Sequence, residues 1–298
     1  MREPQTLSGS TARSESAPQR WSEALVLSFD LETTGTSPED DRIVQLGAAY
    51  FDRGRYQRRH EVLINPEIPI PVEASRVHHV TDARVQGAPR LGEFLPRWDE
   101  HLQGLTTYGK RAPLICGYNL LAFDIPLLRN ELRRLQIADQ LGDRPILDLF
   151  IFAKWFWRNR STKLTDLCAQ FQIEIPNAHQ ASADARGCGE LLFRLIESKV
   201  IPDDIEKSLA LQRDYQRILE EELEAYHYWL YGDRDSGELF VGAGKHRGVP
   251  LAAAPVSYLE WLLRLDDLRE GARQAVEAER RRRREGGPPL RALWSVSR

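Results

Sequence analysis

Apolar residues follow two rhythms along the chain. Between residues 24 and 65 they come in short dense runs. "ALVLSF" (Ala24–Phe29), "RIVQLGAAYF" (Arg42–Phe51) and "RRHEVLIN" (Arg58–Asn65) each read as a strand, with a hairpin turn at Arg53-Gly54. "PEIPIPVEAS" follows as an extended, Pro-rich crossing. Leu91, Phe94, Leu95, Trp98 and Leu102 then recur at helical spacing. "PLICGYN" (Pro113–Asn119) is a short buried strand, and "FDIPLLRNELRRL" is an amphipathic helix behind it. "PILDLFIFAKWFW" makes a second strand-to-helix step; "KLTDLCAQFQI" and "ASADARGCGELLFRLIESK" are two further helices. Strands in a hairpin series, then strands alternating with helices, predict an α/β domain over residues 21–200 with a mixed central sheet flanked by helices.

Outside that domain the pattern changes. Residues 1–20 are polar, small and Pro-containing, as in a disordered tail. A long charged helix, Asp203–Tyr231, fills a connecting segment over 201–232 and reads as a dimer interface or an intramolecular strut. A small C-terminal module over 233–298 follows, with a basic tail at Arg280–Arg284. The chain has 298 residues, enough for about two domains; it is 42% hydrophobic and 29% charged, which excludes wholesale disorder. Its formal net charge is −3, so any nucleic-acid contact rests on local basic patches. Cys116, Cys168 and Cys188 are odd in number and far apart, which argues against disulfides and a Cys-based zinc site and fits a reducing compartment. The apolar runs are too short to span a membrane, and no signal peptide precedes them, so a cytoplasmic protein is expected.

Candidate chemistry starts at "FDLETTG" (Phe29–Gly35). On a strand, Asp30 and Glu32 point to the same side. Two such charges ~4 Å apart cost about 4 kcal/mol at an effective dielectric near 20, so a cation, a shared proton or a basic partner is needed. "GYNLLAFDIPLL" places Asp124 just after a strand, at the start of a helix, where an isolated Asp is commonly a cap or dipole partner. "HQASAD" places His179 five positions before Asp184.

Together and in this order, these segments resemble the three motifs of the DEDD 3′–5′ exonuclease superfamily, and H-x-A-x-x-D resembles its DEDDh branch. The other branch has Tyr four before the last Asp; here that position is Gln180. The resemblance implies an RNase H-like fold, with Asp30, Glu32, Asp124 and Asp184 as metal ligands and His179 as general base. It implies two Mg²⁺ ions, with Mn²⁺ able to substitute: hard oxygen ligands suit both, and two ions ~3.5–4 Å apart can bind the attacking and leaving oxygens. Leu31, Thr33 and Thr34 are implied contacts to the 3′-terminal nucleotide, and Asn119 and Phe123 are candidates to position the scissile strand, although Phe123 reads equally as core. "VHHVTDA" resembles a segment the family often writes V-H-G-I-T, with His79 in place of Gly; Asp148 in "ILDLF" reads as a helix cap. "GKHRG" is not a P-loop, because Leu239 and His246 stand where Gly and Ser/Thr are required. It resembles the small Gly-Lys-x-x-Gly module at the C-terminus of exodeoxyribonuclease X and its relatives, and offers Lys245 and Arg247 to phosphates.

The expected function is metal-dependent 3′–5′ hydrolysis of DNA to 5′-mononucleotides. The alternatives are an RNA-trimming exonuclease and a catalytically idle nucleic-acid-binding protein. A haloacid-dehalogenase-type phosphatase is disfavoured, since its second acid is Asp and "HQASAD" has no place in it. Expected partners are nucleic acid with a free 3′ end, and a second copy of the chain or a replication or repair protein.

Overall fold

The computed structural model describes residues 19–96, 114–139, 141, 144–158, 160–176, 180–233 and 236–292. The tail to residue 18, Trp98, Leu102, Pro113 and His179 lie outside the described residues. β1 (Leu25–Thr33), β2 (Ile43–Asp52) and β3 (Arg55–Leu63) form an antiparallel meander. β4 (Leu114–Gly117) and β5 (Ile146–Asp148) extend the other side of β1 in parallel, giving the order β3-β2-β1-β4-β5. The helices are α1 (Val72–His78), α2 (Asp82–Val85), α3 (Asp124–Arg134), α4 (Leu149–Phe156), α5 (Leu164–Gln170), α6 (Ala181–Glu197), α7 (Ile205–Tyr226), α8 (Val256–Leu262) and α9 (Glu270–Glu285).

β1 runs on through both acids to Thr33. β2 pairs with it that far, setting Asp30 opposite Gly47 and Glu32 opposite Gln45, and the ladder holds the polar residues in line. Alternation then sorts the strand. Leu27, Phe29 and Leu31 enter a core with Leu127 and Leu128 of α3. Val26 enters the opposite core with Ala49, Phe51 and Leu191 of α6. Asp30 and Glu32 share Val26's parity and so point to the α6 side. All three cysteines are free and buried in that same core.

The crossing after β3 is not extended throughout. Pro66, Pro69 and Pro71 precede α1, and the Pro-free "VEASRVH" winds into it. Proline suits a helix entry and nothing in those seven residues opposes the helix. His79 ends α1 in the left-handed conformation (φ 58°), its N–H donating to Ser75 O. A residue with a Cβ thus fills the position for which the related segment uses Gly, a conformation in which His is one of the better tolerated residues.

α7 is an intramolecular strut. It packs on α4 and β5 and also on α9 and on β6 (Leu230–Gly232). β5 is a sheet edge, and Gln212 of α7 closes it: the side chain accepts from Asp148 N–H at 2.6 Å and donates to Ile146 O at 3.0 Å. The Trp21 indole N–H donates to Ser208 Oγ of the same helix at 2.8 Å, both residues fully buried. Gln212→Leu leaves two backbone groups of β5 unsatisfied, and we expect a loss of roughly 2–4 kcal/mol. Urea denaturation monitored by circular dichroism reads it; an unchanged midpoint would mean that α7 does not stabilise the edge.

The predicted helix to Tyr231 stops at Tyr226, because His227 turns to φ 53° and the next residues pair as β6 with β7 (Leu239–Val241). Trp229, Val241, Tyr258, Leu259 and Val276 form a separate small core. The arginine run is a helix end. It lies in α9, where Arg282 and Arg283 both bind the buried Glu279 and Arg280 binds Glu260.

Candidate active site

β4 pairs with β1 only as far as Ser28 and Cys116, and then the chain turns away at Gly117. The edge of β1 is released there. Asp124 at the start of α3 takes it up, its Oδ1 accepting from Leu31 N–H at 3.0 Å. The turn leading to Asp124 is fixed by buried Asp148. That carboxylate accepts from Asn119 N–H (2.8 Å), Leu121 N–H (3.0 Å) and, as a helix cap, Phe150 N–H (3.0 Å). Asn119 itself sits at φ 65°.

Asp184 arrives from the other face, in the first turn of α6. The N-terminus of that helix is tied to the sheet by Ala181 N–H donating to Gln45 Oε1 (3.1 Å) and Ser182 Oγ donating to Glu61 (2.6 Å). It can lie that close because Gly47 has no side chain: a Cβ there would stand 2.0 Å from the Ala181 carbonyl carbon. Asp30, Glu32 and Asp184 thereby offer one oxygen each, all within 4.8 Å of one another.

The electrostatics follow. Burial pushes Asp30 well above the carboxylate range, and Asp124, Glu32 and Asp184 push it further. Burial, then Asp184, Asp124 and Glu61, raise Glu32 to about 8. Burial raises Asp124 to about 8 against the pull of the Leu31 N–H. The charged groups acting on Asp30 are all carboxylates. Such a cluster is complete only with protons or cations, and its all-oxygen donors suit hard divalent ions.

The pH dependence has a definite sign. A folded-state value raised from 4.5 to about 8 at Glu32 means the folded protein holds the proton more tightly than the unfolded chain. That contribution is fully present below 4.5 and is lost as pH rises through about 8. We expect the Tm of the metal-free protein to fall across this window, and added Mn²⁺ to raise it more at the upper end than at the lower. Scanning calorimetry with and without chelator measures both; an equal metal effect at both ends would contradict the assignment.

Thr33 and Thr34 are buried, and their hydroxyls are engaged within the turn. Thr33 Oγ1 donates to Gly35 O (2.6 Å), and Thr34 Oγ1 donates to Asp41 (2.8 Å) and accepts from Arg42 N–H (3.0 Å). Phe123 is partly buried against the α3 core. Lys245 and Arg247 are exposed on a tight turn in the C-terminal module, away from the acids in the chain. One positioning residue escapes the sequence reading. His78 is buried; its Nδ1 accepts from Val80 N–H (3.0 Å), so Nε2 carries the proton and donates to Thr33 O (3.2 Å). Its signal was a histidine in an otherwise apolar "VHHV" pattern, which does not announce a partner 45 residues back.

A mixed sheet that gathers carboxylates from its first strand and from the starts of two helices defines the RNase H-like nuclease class. The exonuclease family model matches residues 27–192, more than half of the chain, and the chain belongs to that family. It is 30% identical over 171 residues to DNA polymerase III subunit epsilon of Treponema pallidum (strain Nichols), spanning 56% of this chain and 74% of that relative. DNA polymerase III PolC-type of Lacticaseibacillus paracasei is 27% identical over 179 residues, 60% of this chain but 12% of that longer protein. A moderately thermophilic exonuclease I from Methylocaldum szegediense shares the fold, with a TM-score of 0.51 at 18% identity over 73% of this chain and 50% of that one. The chain is a DEDDh-type 3′–5′ exonuclease, a hydrolase. The family match ends at residue 192, before α7 and the C-terminal module. No described helix is long and apolar enough to cross a membrane.

Proposed function

We propose that the chain removes 5′-mononucleotides from the 3′ end of DNA with two Mg²⁺ ions, Mn²⁺ substituting. The observation that carries the metal reading is the acid cluster: three carboxylate oxygens within 4.8 Å, with only like charges acting on Asp30. The DNA reading is supported by the similarity to a DNA polymerase III subunit.

Asp30, Glu32, Asp124 and Asp184 are the residues that would hold the ions. Bound there, the ions would neutralise phosphate charge and assist the attacking and leaving oxygens. The protein does the rest. Leu31, Thr33, Thr34 and Asn119 shape the floor for the terminal nucleotide, with His78 holding the turn from behind. His179, five residues before Asp184 in the chain, is the general base. Its neutral imidazole, with a reference pKa of about 6.5, takes a proton from water near neutral pH, help typically worth ~10²–10⁴-fold. Lys245 and Arg247 act on phosphates.

The test uses DNA and RNA oligonucleotides of one sequence, 5′-labelled, incubated with Mg²⁺, Mn²⁺ or EDTA. Wild type gives a ladder shortening from the 3′ end only with metal, faster on DNA; His179→Ala loses at least roughly a hundredfold. Preference for RNA would replace the substrate, and a ladder in EDTA would overturn the metal reading.

A further inference from the structure

The turn that carries Asp124 has a second side. A groove of about 520 Å³ opens there between α4 and α7, running from Asn119 and Leu121 past Lys154 and Arg158 to Leu223 and His227. At its far end the His227 ring lies 4.3 Å from Tyr228, centroid to centroid. A chain of rings continues: Tyr228 to Trp229 (4.7 Å), Trp229 to Trp261 (5.6 Å), Trp261 to Tyr258 (5.2 Å, stacked) and Tyr258 to His246 (4.5 Å).

Two of these rings are on the surface. Tyr228 is 47% exposed and Trp261 42%, while Trp229 between them and Tyr258 beyond Trp261 belong to the core. The ladder ends at the turn bearing Lys245 and Arg247, which are exposed and, among the described residues, have no ion-pair partner. Asp267 accepts from Tyr228 O–H (2.6 Å) and Trp229 Nε1–H (3.2 Å), and Glu222 pairs with Arg158. Exposed cations and exposed rings, at one end of a groove whose other end is the turn that leads to Asp124, make a surface complementary to an unpaired strand, in which phosphates need cations and bases need flat faces.

We infer that single-stranded DNA upstream of the 3′-terminal nucleotide leaves the acid cluster through this groove and stacks bases on Tyr228 and Trp261, with Lys245 and Arg247 on its phosphates. The C-terminal module is then a strand-holding platform that makes the enzyme favour longer substrates. This inference rests on the exonuclease reading above.

The experiment compares kcat/KM on a tetranucleotide with that on an oligo-dT of ~24 nucleotides, a length beyond the site of a single binding module. Wild type favours the long substrate. In the Tyr228→Ala/Trp261→Ala double variant the long-to-short ratio falls roughly tenfold or more, since each lost stack weakens strand binding severalfold. Tyr228→Phe/Trp261→Phe keeps rings at both positions and keeps most of the ratio, which separates stacking from damage to the module. An unchanged ratio in the Ala variant, or an equal loss on both lengths, overturns the platform while leaving the exonuclease reading intact. Absence of turnover on every substrate by wild type would overturn that reading first, and this one with it.

Discussion

Asp30→Asn lowers kcat/KM for phosphodiester hydrolysis by roughly 10³-fold or more and, in the metal-free protein, raises the Tm. The two effects have one cause. Asp30 stands where burial and three other carboxylates all disfavour its charge. Neutralising it removes a repulsion that bound cations would offset. Ions held there would supply several kcal/mol of charge stabilisation in the transition state, and each ~1.4 kcal/mol is a factor of ten in rate. In chelator the same change relieves the cluster, and each kcal/mol gained moves the Tm by about 2–4 °C for a chain of this size. The comparison is made at high pH, near the raised value of about 8 at Glu32, where the cluster is most charged. Kinetics on a 5′-labelled oligonucleotide and calorimetry in EDTA check the pair. A variant that loses activity and also loses stability would show Asp30 to be a folding residue rather than a strained ligand.

Gly47→Ala has an effect nearly as large, although Gly47 carries no chemistry. Its Cα is paired with Asp30 across β1 and β2, and a Cβ there would lie 2.0 Å from the Ala181 carbonyl carbon and 2.1 Å from Ser182 N. Both obstacles are backbone atoms of the helix that carries Asp184. The helix must lift. Overpacking of this kind costs about 1–3 kcal/mol, and with backbone on both sides we expect the upper end or beyond. A displacement of ~1 Å in a catalytic group costs about a hundredfold in rate. We therefore expect a variant that is less stable by about 3 kcal/mol and less active than the stability loss accounts for, read by urea denaturation and by kcat at a temperature where the variant is fully folded. Wild-type activity would mean that α6 does not set the position of Asp184.

These two residues also show what a sequence discloses and what it withholds. Asp30 and Glu32 are legible because two acids in an apolar strand contradict their surroundings, and Asp124 and Asp184 join them through ordered motifs. The sheet is legible because apolar runs of strand length separate from amphipathic helices. Gly47 is not legible: its neighbour Ala181 is more than a hundred residues away, and nothing local marks the contact. Gln212, which closes the β5 edge, reads as one more polar position on a charged helix. α1 is not legible because three prolines dominate the stretch before it, although none lies within it. The arginine run reads as a tail or a helix end, because composition carries no account of pairing; Glu279, bound by Arg282 and Arg283, makes it part of a packed helix. The aromatic ladder is assembled from residues 227–229, 246 and 258–261, which only the folded module brings together.

The central claim is that mutually repelling carboxylates on β1, α3 and α6 form a divalent-cation site. The most direct test titrates Mn²⁺ into the metal-free protein at pH 7 by calorimetry, in two buffers of different ionisation enthalpy. Metal ligands must be deprotonated to bind, and Glu32 and Asp124, both raised to about 8, still hold protons at that pH. The account predicts saturable Mn²⁺ binding that releases protons and that Asp30→Asn/Asp184→Asn abolishes. Binding without proton release, or binding unchanged in the double variant, would contradict it.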